Sequence, residues 1–173
     1  MNIQKIMRDS ERFLKRTEDY KDYQNQDDNF AIEYVIAKEK DGKIADVLAF
    51  ARRHDEVLSF HPYRDNEVMY LDTSWSFDID NDLFEHLENG YEIVCMPFDG
   101  HHGVWWTINE WHDGDINHVQ GMQMYLGYCK RNGITMERMA KECRYEGMDV
   151  MTLYDGKTPA NKGITKPPKE YER

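Results

Sequence analysis

The chain has 173 residues, 40% of them hydrophobic, which suffices for one buried core and a small second module. Its formal net charge is −11 at pH 7, and the run between Arg64 and Lys130 contains thirteen Asp and Glu residues without a single Lys or Arg. Such a surface repels nucleic acid and attracts basic proteins. No segment has the length and apolarity of a signal sequence or a membrane span, so we expect a cytoplasmic protein that binds no membrane.

The N-terminal third is predicted to be helical. A first helix is indicated by residues that recur at the spacing of one helical face, namely Ile3, Ile6, Met7, Ser10, Phe13 and Leu14. Two further helices are predicted over residues 29–40 and 43–53, because the first segment contains two alanines and because Ile44, Val47, Leu48 and Ala51 of the second share one face. The Asp41-Gly42 pair between them equally suits the turn of a β-hairpin, so two strands remain the alternative.

The middle of the chain changes to short runs of β-branched and aromatic residues, which predict two hairpins. The first pairs residues 56–63 with 67–75, and the second pairs 91–98 with 103–111. A short helix is predicted between the hairpins and ends at Gly90.

The C-terminal part returns to a helical pattern. A helix is predicted from Asp115 to the region of Gly133, because Val119, Met122, Leu126 and Cys129 share one face. Residues 133–157 then place apolar residues where a helix-turn-helix needs them. Together with the preceding helix, these residues predict a three-helix unit.

Residues 133–157 resemble the helix-turn-helix module of the lambda-repressor-like family, also called the XRE type. The matching positions are Gly133, Ile134, Thr135, Glu137, Met139, Ala140, Lys141, Val150, Leu153, Gly156 and Lys157. The resemblance covers less than a quarter of the chain and implies that residues 147–152 enter the major groove of DNA. It implies a DNA-binding set that consists of Lys141, Arg144, Met148, Asp149, Thr152 and Lys157.

The segment also departs from the family pattern. Met136 stands where the family usually has glutamine, and Arg144 stands where it usually has a turn glycine. Met148, Asp149 and Thr152 replace the arginine, glutamine and asparagine side chains that make bidentate base contacts. A helical hairpin that only packs is therefore the alternative interpretation.

These patterns predict an α+β fold in which N-terminal helices and a small antiparallel sheet precede a C-terminal three-helix, helix-turn-helix-like module. We place an acidic α+β domain at residues 1–113, the module at 114–157 and a flexible tail at 158–173. Residues 117–173 carry ten Lys and Arg against seven Asp and Glu, so this part is mildly basic on an acidic protein.

Metal binding and catalysis are not predicted. Residues 101–118 contain four histidines near Asp and Glu, yet they lack a familiar ligand motif such as HExxH, so polar turn residues are the favoured interpretation. No serine lies in a GxSxG setting, and Cys95 lies in an apolar run. We expect no metal, no cofactor and no enzymatic activity.

An acidic partner-binding surface is predicted around the cation-free run. Its carboxylates are Asp78, Asp80, Asp82, Glu85 and Glu88. Trp105 and Trp106 are neighbours in a predicted strand, so one of them is expected to face away from the core. An exposed tryptophan beside acids suits the anchoring of a basic protein.

Two non-enzymatic functions follow. In the first, the C-terminal module binds DNA while the acidic domain binds a partner or forms a homodimer, as in a small regulator. In the second, the acidic surface mimics nucleic acid and inhibits a basic nuclease, as anti-restriction and anti-CRISPR proteins do. Small size and strong acidity are typical of accessory proteins from phages and mobile elements. This is a general likeness in size and charge, and no motif match supports it.

Overall fold

The computed structural model of the protein describes residues 1–64, 68–71, 83–97, 101, 104 and 118–135, which belong to two compact units. The first unit contains helices α1 (Ile3–Leu14) and α2 (Glu18–Asp22) and strands β1 (Ala31–Lys40), β2 (Lys43–Arg53), β3 (Glu56–Phe60), β4 (Val68–Leu71) and β5 (Tyr91–Cys95). The second contains α3 (residues 83–88) and α4 (Val119–Arg131). None of the helices in these ranges has the length and apolarity needed to cross a membrane.

The five strands form one antiparallel sheet in the order β4-β3-β2-β1-β5. Strands β1 to β4 follow one another as a meander, and β5 returns to pair with β1. Asp41 and Gly42 make the turn between β1 and β2, with φ values of 53° and 72° and with Lys40 paired to Lys43. Two-residue turns of this type match the twist of the strands and require residues that tolerate positive φ.

Helix α1 packs on one face of the sheet. The buried core on this side consists of Ile6, Leu14, Phe30, Val35, Ala37, Val47, Ala49, Ala51, Leu58 and Phe60. Phe13 of α1 stacks on Phe60 of β3 with ring centroids 5.0 Å apart. Burial of each large aliphatic or aromatic side chain contributes about 1.5–3 kcal/mol, so this face supplies much of the stability of the first unit.

The opposite face of the sheet is also apolar and buried. Tyr34 of β1 lies opposite Phe50 of β2, and their rings meet edge to face with centroids 6.2 Å apart. Ile36 and Leu48, the next pair along this face, are buried as well. The central strands are thus buried on both sides.

The predicted helices over residues 29–40 and 43–53 were wrong, because these residues form β1 and β2. Strands buried on both faces are nearly continuous apolar runs, so the two-residue alternation that identifies a strand is absent. Ala37, Ala49 and Ala51 are core residues beneath α1, although the helix propensity of alanine suggested helices. The hairpin alternative at Asp41-Gly42 is the one that the structure adopts.

Other local predictions agree with the structure. Helix α1 and the first hairpin, now β3 and β4, are present. Helix α3 precedes Gly90, which has a φ of 90°, and α4 ends at Arg131, with Asn132 as its C-cap, before Gly133, which has a φ of 67°. Glycine at positive φ after a helix satisfies the usual C-terminal geometry.

The prediction of the second hairpin was wrong for those of its residues that the structure describes. β5 pairs with β1, and His101 and Val104 are helical. The remaining residues of the predicted partner strand lie outside the described residues. The apolar pattern of residues 91–95 identified a strand correctly, but it carried no information about which strand would pair with it.

The predicted fold class was also wrong. The chain is an α+β mixture, yet a five-stranded sheet dominates the described part, and α4 is the one helix described near the C-terminus. The structure therefore does not support the predicted three-helix C-terminal module. Residues 136–157, which hold most of the predicted helix-turn-helix, lie outside the described residues.

In the second unit, α3 and α4 approach closely at Gly121. A Cβ atom at Gly121 would lie 2.8 Å from Cα of Phe84, closer than real Cβ contacts. Phe84 and Tyr125 are buried and meet at a centroid distance of 6.2 Å. The absence of a side chain at Gly121 allows this contact.

We predict that Gly121→Ala lowers the free energy of unfolding of the second unit by about 1–3 kcal/mol, because the added methyl group meets backbone that cannot move aside. Gly127→Ala is the matched control in the same helix, where a Cβ would approach only the end of the flexible Arg131 side chain at 3.3 Å. The control is expected to stabilise by up to about 1 kcal/mol through helix propensity. Urea denaturation followed by circular dichroism measures both, and equal effects would contradict the packing argument.

Candidate functional site

The predicted DNA-binding residues lie outside the described residues. This applies to the whole set, Lys141, Arg144, Met148, Asp149, Thr152 and Lys157. Of the predicted partner-binding residues, Asp78, Asp80, Asp82, Trp105 and Trp106 also lie outside. Only Glu85 and Glu88 of these predicted sites are described, and both belong to α3.

Glu88 uses its carboxylate within the second unit. Oε1 accepts a hydrogen bond from the backbone N–H of Gly121 at 3.1 Å, and Oε2 lies 2.9 Å from Nδ1 of His118. The bond with His118, followed by that with Gly121, lowers the pKa of Glu88. A carboxylate in this position satisfies a free N–H of the first turn of α4 and interacts favourably with the helix dipole. Glu88 therefore holds α3 to α4.

Glu85 and Glu92 present their carboxylates to solvent. Both are exposed, and neither forms an ion pair within the part of the chain that the structure describes. They belong to the cation-free run between Arg64 and Lys130. These two side chains are the described carboxylates of that run that remain available to a partner.

A polar cluster that the sequence analysis missed surrounds Asp46 in the first unit. Asp46 is only 6% exposed, and its Oδ2 accepts a hydrogen bond from the hydroxyl of Tyr91 at 2.5 Å. Its Oδ1 lies 3.1 Å from Nδ1 of His61 and 2.9 Å from the backbone N–H of Val47. Arg64 Nη1 is 3.4 Å from Oδ2. The cluster thus joins β2, β5 and the residues that follow β3.

The contacts of His61 identify its tautomer. Nη2 of Arg64 lies 3.0 Å from Nε2 of His61, and a guanidinium can only donate. Nε2 is therefore the acceptor, and Nδ1 carries the proton that is donated to Asp46. Both ring nitrogens are used within the cluster.

Burial and hydrogen bonding act in opposite directions on the Asp46 carboxyl. Burial disfavours its charged form, but the hydrogen bonds from Tyr91 and His61 outweigh burial and hold the pKa of Asp46 below its usual range. Burial, together with the hydrogen bond to Asp46, raises the pKa of Tyr91 to about 12. Asp46 is thus ionised and Tyr91 is protonated near neutral pH.

This arrangement is suited to holding structure together. The Asp46 oxygens are occupied by donors from the protein, and Tyr91 and His61 donate their protons to that same carboxylate. Across the described ranges, no group of three or more His, Cys, Asp or Glu residues is arranged to hold a metal ion. A charged residue inside the apolar run of β2 was the sequence signal that could have indicated this cluster.

The two described histidines of the 101–118 segment contact protein groups in the second unit. Nδ1 of His101 lies 2.7 Å from the hydroxyl of Tyr125, and its ring stacks on Tyr128 at a centroid distance of 6.3 Å. His118 lies beside Glu88. His101 is buried and thus acts as a core residue.

The two described cysteines are free thiols. Burial raises the pKa of Cys129 to about 11 and also raises that of Cys95. The thiolate is the nucleophilic form of cysteine, so neither side chain is activated for covalent chemistry.

Comparisons of the chain with models of known protein families, with curated proteins and with solved structures gave no match. The resemblance of residues 133–157 to the lambda-repressor-like family thus stays a prediction from the sequence.

We predict that Asp46→Asn lowers the free energy of unfolding at pH 7 by about 1–2 kcal/mol, because bonds to a charged acceptor are lost. The folded pKa of Asp46 lies below its unfolded value, so its contribution is present above the unfolded pKa and disappears as the pH falls through the folded pKa. Urea denaturation should therefore show a difference between variant and wild type that shrinks from pH 7 toward pH 3. Asp22→Asn, an exposed carboxylate on α2, is the control and should change little. A difference independent of pH would contradict the ionic role.

Proposed function

We propose that the protein acts without catalysis, by binding a basic protein through the carboxylates of its cation-free run. The observation that carries this proposal is the placement of thirteen Asp and Glu residues between Arg64 and Lys130 with no cation among them. Glu85 and Glu92, two of them, are exposed and form no ion pair with other described residues. Carboxylates left without internal partners produce a negative potential that steers a positively charged partner toward them.

The favoured partner is an enzyme that acts on nucleic acid. Such enzymes hold the phosphate backbone in channels lined by Lys and Arg, and a densely acidic surface competes for the same side chains. The protein would then be an inhibitor or regulator of the anti-restriction or anti-CRISPR type, as encoded by phages and mobile elements. Within this proposal, Glu88 supports the surface by fixing α3 against α4, and Glu85 contacts the partner.

Exposed carboxylates have a simpler role, which is to keep a protein soluble. Solubility alone requires a net charge, but it does not require that cations be absent over a long run in which carboxylates are frequent. Two acidic segments elsewhere in the chain do contain lysine: residues 18–28 hold Lys21 among five Asp and Glu, and residues 39–43 hold Lys40 and Lys43 beside Glu39 and Asp41. The segregation of charge therefore favours partner recognition over solubility as the role of these carboxylates.

The proposal is tested by binding to two purified probes, a restriction endonuclease and a CRISPR nuclease. We predict that neutralising four acids of the run raises Kd about tenfold at low salt, since charge pairs at an interface each contribute about 0.2–1 kcal/mol. The variant combines Asp78→Asn, Asp80→Asn, Asp82→Asn and Glu85→Gln. A charge-matched control changes exposed carboxylates outside the run and combines Glu11→Gln, Asp22→Asn, Asp27→Asn and Asp55→Asn.

The control is expected to bind as the wild type does, and duplex DNA should compete with the wild type for either enzyme. The proposal would be contradicted if the protein bound neither enzyme, or if the variant and its control bound the enzymes equally weakly. Binding without competition from DNA would show that the protein is no mimic of nucleic acid.

DNA association is the second candidate, and the observation that favours it is the excess of cations in residues 117–173, ten Lys and Arg against seven Asp and Glu. The DNA-association proposal now rests on this local positive charge and no longer on a three-helix module. We predict that Lys141→Glu/Lys157→Glu abolishes a salt-sensitive mobility shift of duplex DNA, because phosphate contacts release counterions. Full retention of the shift in this variant would exclude the C-terminal segment as the contact.

A further inference from the structure

Helix α1 carries a surface whose charge is opposite in sign to the net charge of the protein. Residues 1–17 contain five Lys and Arg and two Asp and Glu, on a chain whose net charge is −11. Arg8, Arg12 and Lys15 follow one another at spacings of four and three residues, which places them on one face of the helix. Arg16 comes directly after the helix, and all four side chains are exposed. We call Arg8, Arg12, Lys15 and Arg16 the basic stripe.

Most of the stripe is electrostatically available. Of the two carboxylates of α1, Asp9 lies 2.6 Å from Nζ of Lys5 and 3.8 Å from Nη1 of Arg12, and Glu11 forms no ion pair with a described residue. Among the described residues, Arg8, Lys15 and Arg16 form no ion pair. Lys5 is also hydrogen-bonded to Tyr63 and is therefore left out of the stripe.

The helix dipole explains only part of this arrangement. Cations in the last turn interact favourably with the negative end of the dipole, which accounts for Arg12 and Lys15. Arg8 lies in the middle of α1 and gains little from the dipole, so its alignment with the other cations calls for another explanation.

The stripe is presented rigidly. Ile6, Ser10 and Leu14 on the opposite side of α1 are buried against the sheet, and Phe13 stacks on Phe60. Since the apolar side of α1 is already buried in the protein, α1 cannot insert that side into a lipid surface as an interfacial membrane helix does.

The chemistry of the stripe suits phosphate groups. Three of its four residues are arginines, whose guanidinium fork binds phosphate oxygens in bidentate fashion. Positions four residues apart are separated by about 6 Å along a helix axis, so the stripe offers regularly spaced charges to a repeating polyanion.

We propose that the basic stripe of α1 binds the phosphate backbone of nucleic acid without sequence preference. This contact uses residues other than the carboxylates of the proposed function and does not depend on that function.

The experiment measures binding of the full chain to a labelled duplex DNA and a labelled RNA of mixed sequence, by fluorescence anisotropy over a range of salt. In wild type, the logarithm of the binding constant should fall linearly with the logarithm of the salt concentration. Arg8→Gln/Lys15→Gln removes two cations without loss of helix propensity and should reduce this slope by about 2. Lys40→Gln/Lys43→Gln removes the same charge at the exposed turn between β1 and β2 and should leave the slope unchanged.

Several results would overturn the proposal. The first is a lack of binding at low salt, and the second is an equal loss in the stripe variant and its control, which would indicate a general effect of net charge. The third is loss of binding in Lys141→Glu/Lys157→Glu alone, which would move the contact to the C-terminal segment. Binding only to phosphatidylserine vesicles, or self-association that the stripe variant abolishes, would assign the stripe to lipid or to a second copy of the chain.

Discussion

The arrangement of the first unit depends on the need to satisfy one buried charge. The carboxylate of Asp46 is ionised inside a largely apolar sheet, where an unpaired charge is very costly. Its donors come from the backbone of β2, from Tyr91 on β5 and from His61 and Arg64 after β3. Tyr63, between these last two residues, donates to Asp9 of α1. The Asp46 carboxylate thereby connects the edge strand β5 to residues 61–64. Tyr63 of this segment contacts α1, which lies on the other face of the sheet.

Charge is segregated along the chain into regions of opposite sign. The carboxylates of the run from Arg64 to Lys130 have no cations among them, while α1 gathers arginines on one exposed face. At physiological salt, exposed charges act over about 8 Å, so a partner responds to the local sign of a surface and much less to the total of −11. An acidic protein can therefore contact phosphate through a segment whose own charge is positive, such as α1.

The candidate sites were predictable to different degrees. The cation-free run is visible in the sequence because it is a property of composition. Which of its carboxylates are available is not visible there, since Glu88 caps α4 through Gly121, thirty-three residues away, while Glu85 on the same helix is exposed. The Asp46 cluster was equally hidden, because His61 and Tyr91 lie fifteen and forty-five residues from Asp46 and only the strand pairing brings them together.

The sequence by itself determined the elements whose signal is local. Helix α1 has one apolar face, and α3 and α4 are followed by Gly90 and Gly133 at positive φ, so spacing and glycine placement sufficed. Tertiary structure decided between helix and strand for β1 and β2 and chose β1 as the partner of β5. A central strand buried on both faces has no alternating pattern, and a strand's own residues do not encode its neighbour. Both choices arise from burying apolar surface on two sides of one sheet, a constraint that the whole unit imposes on segments far apart in the chain.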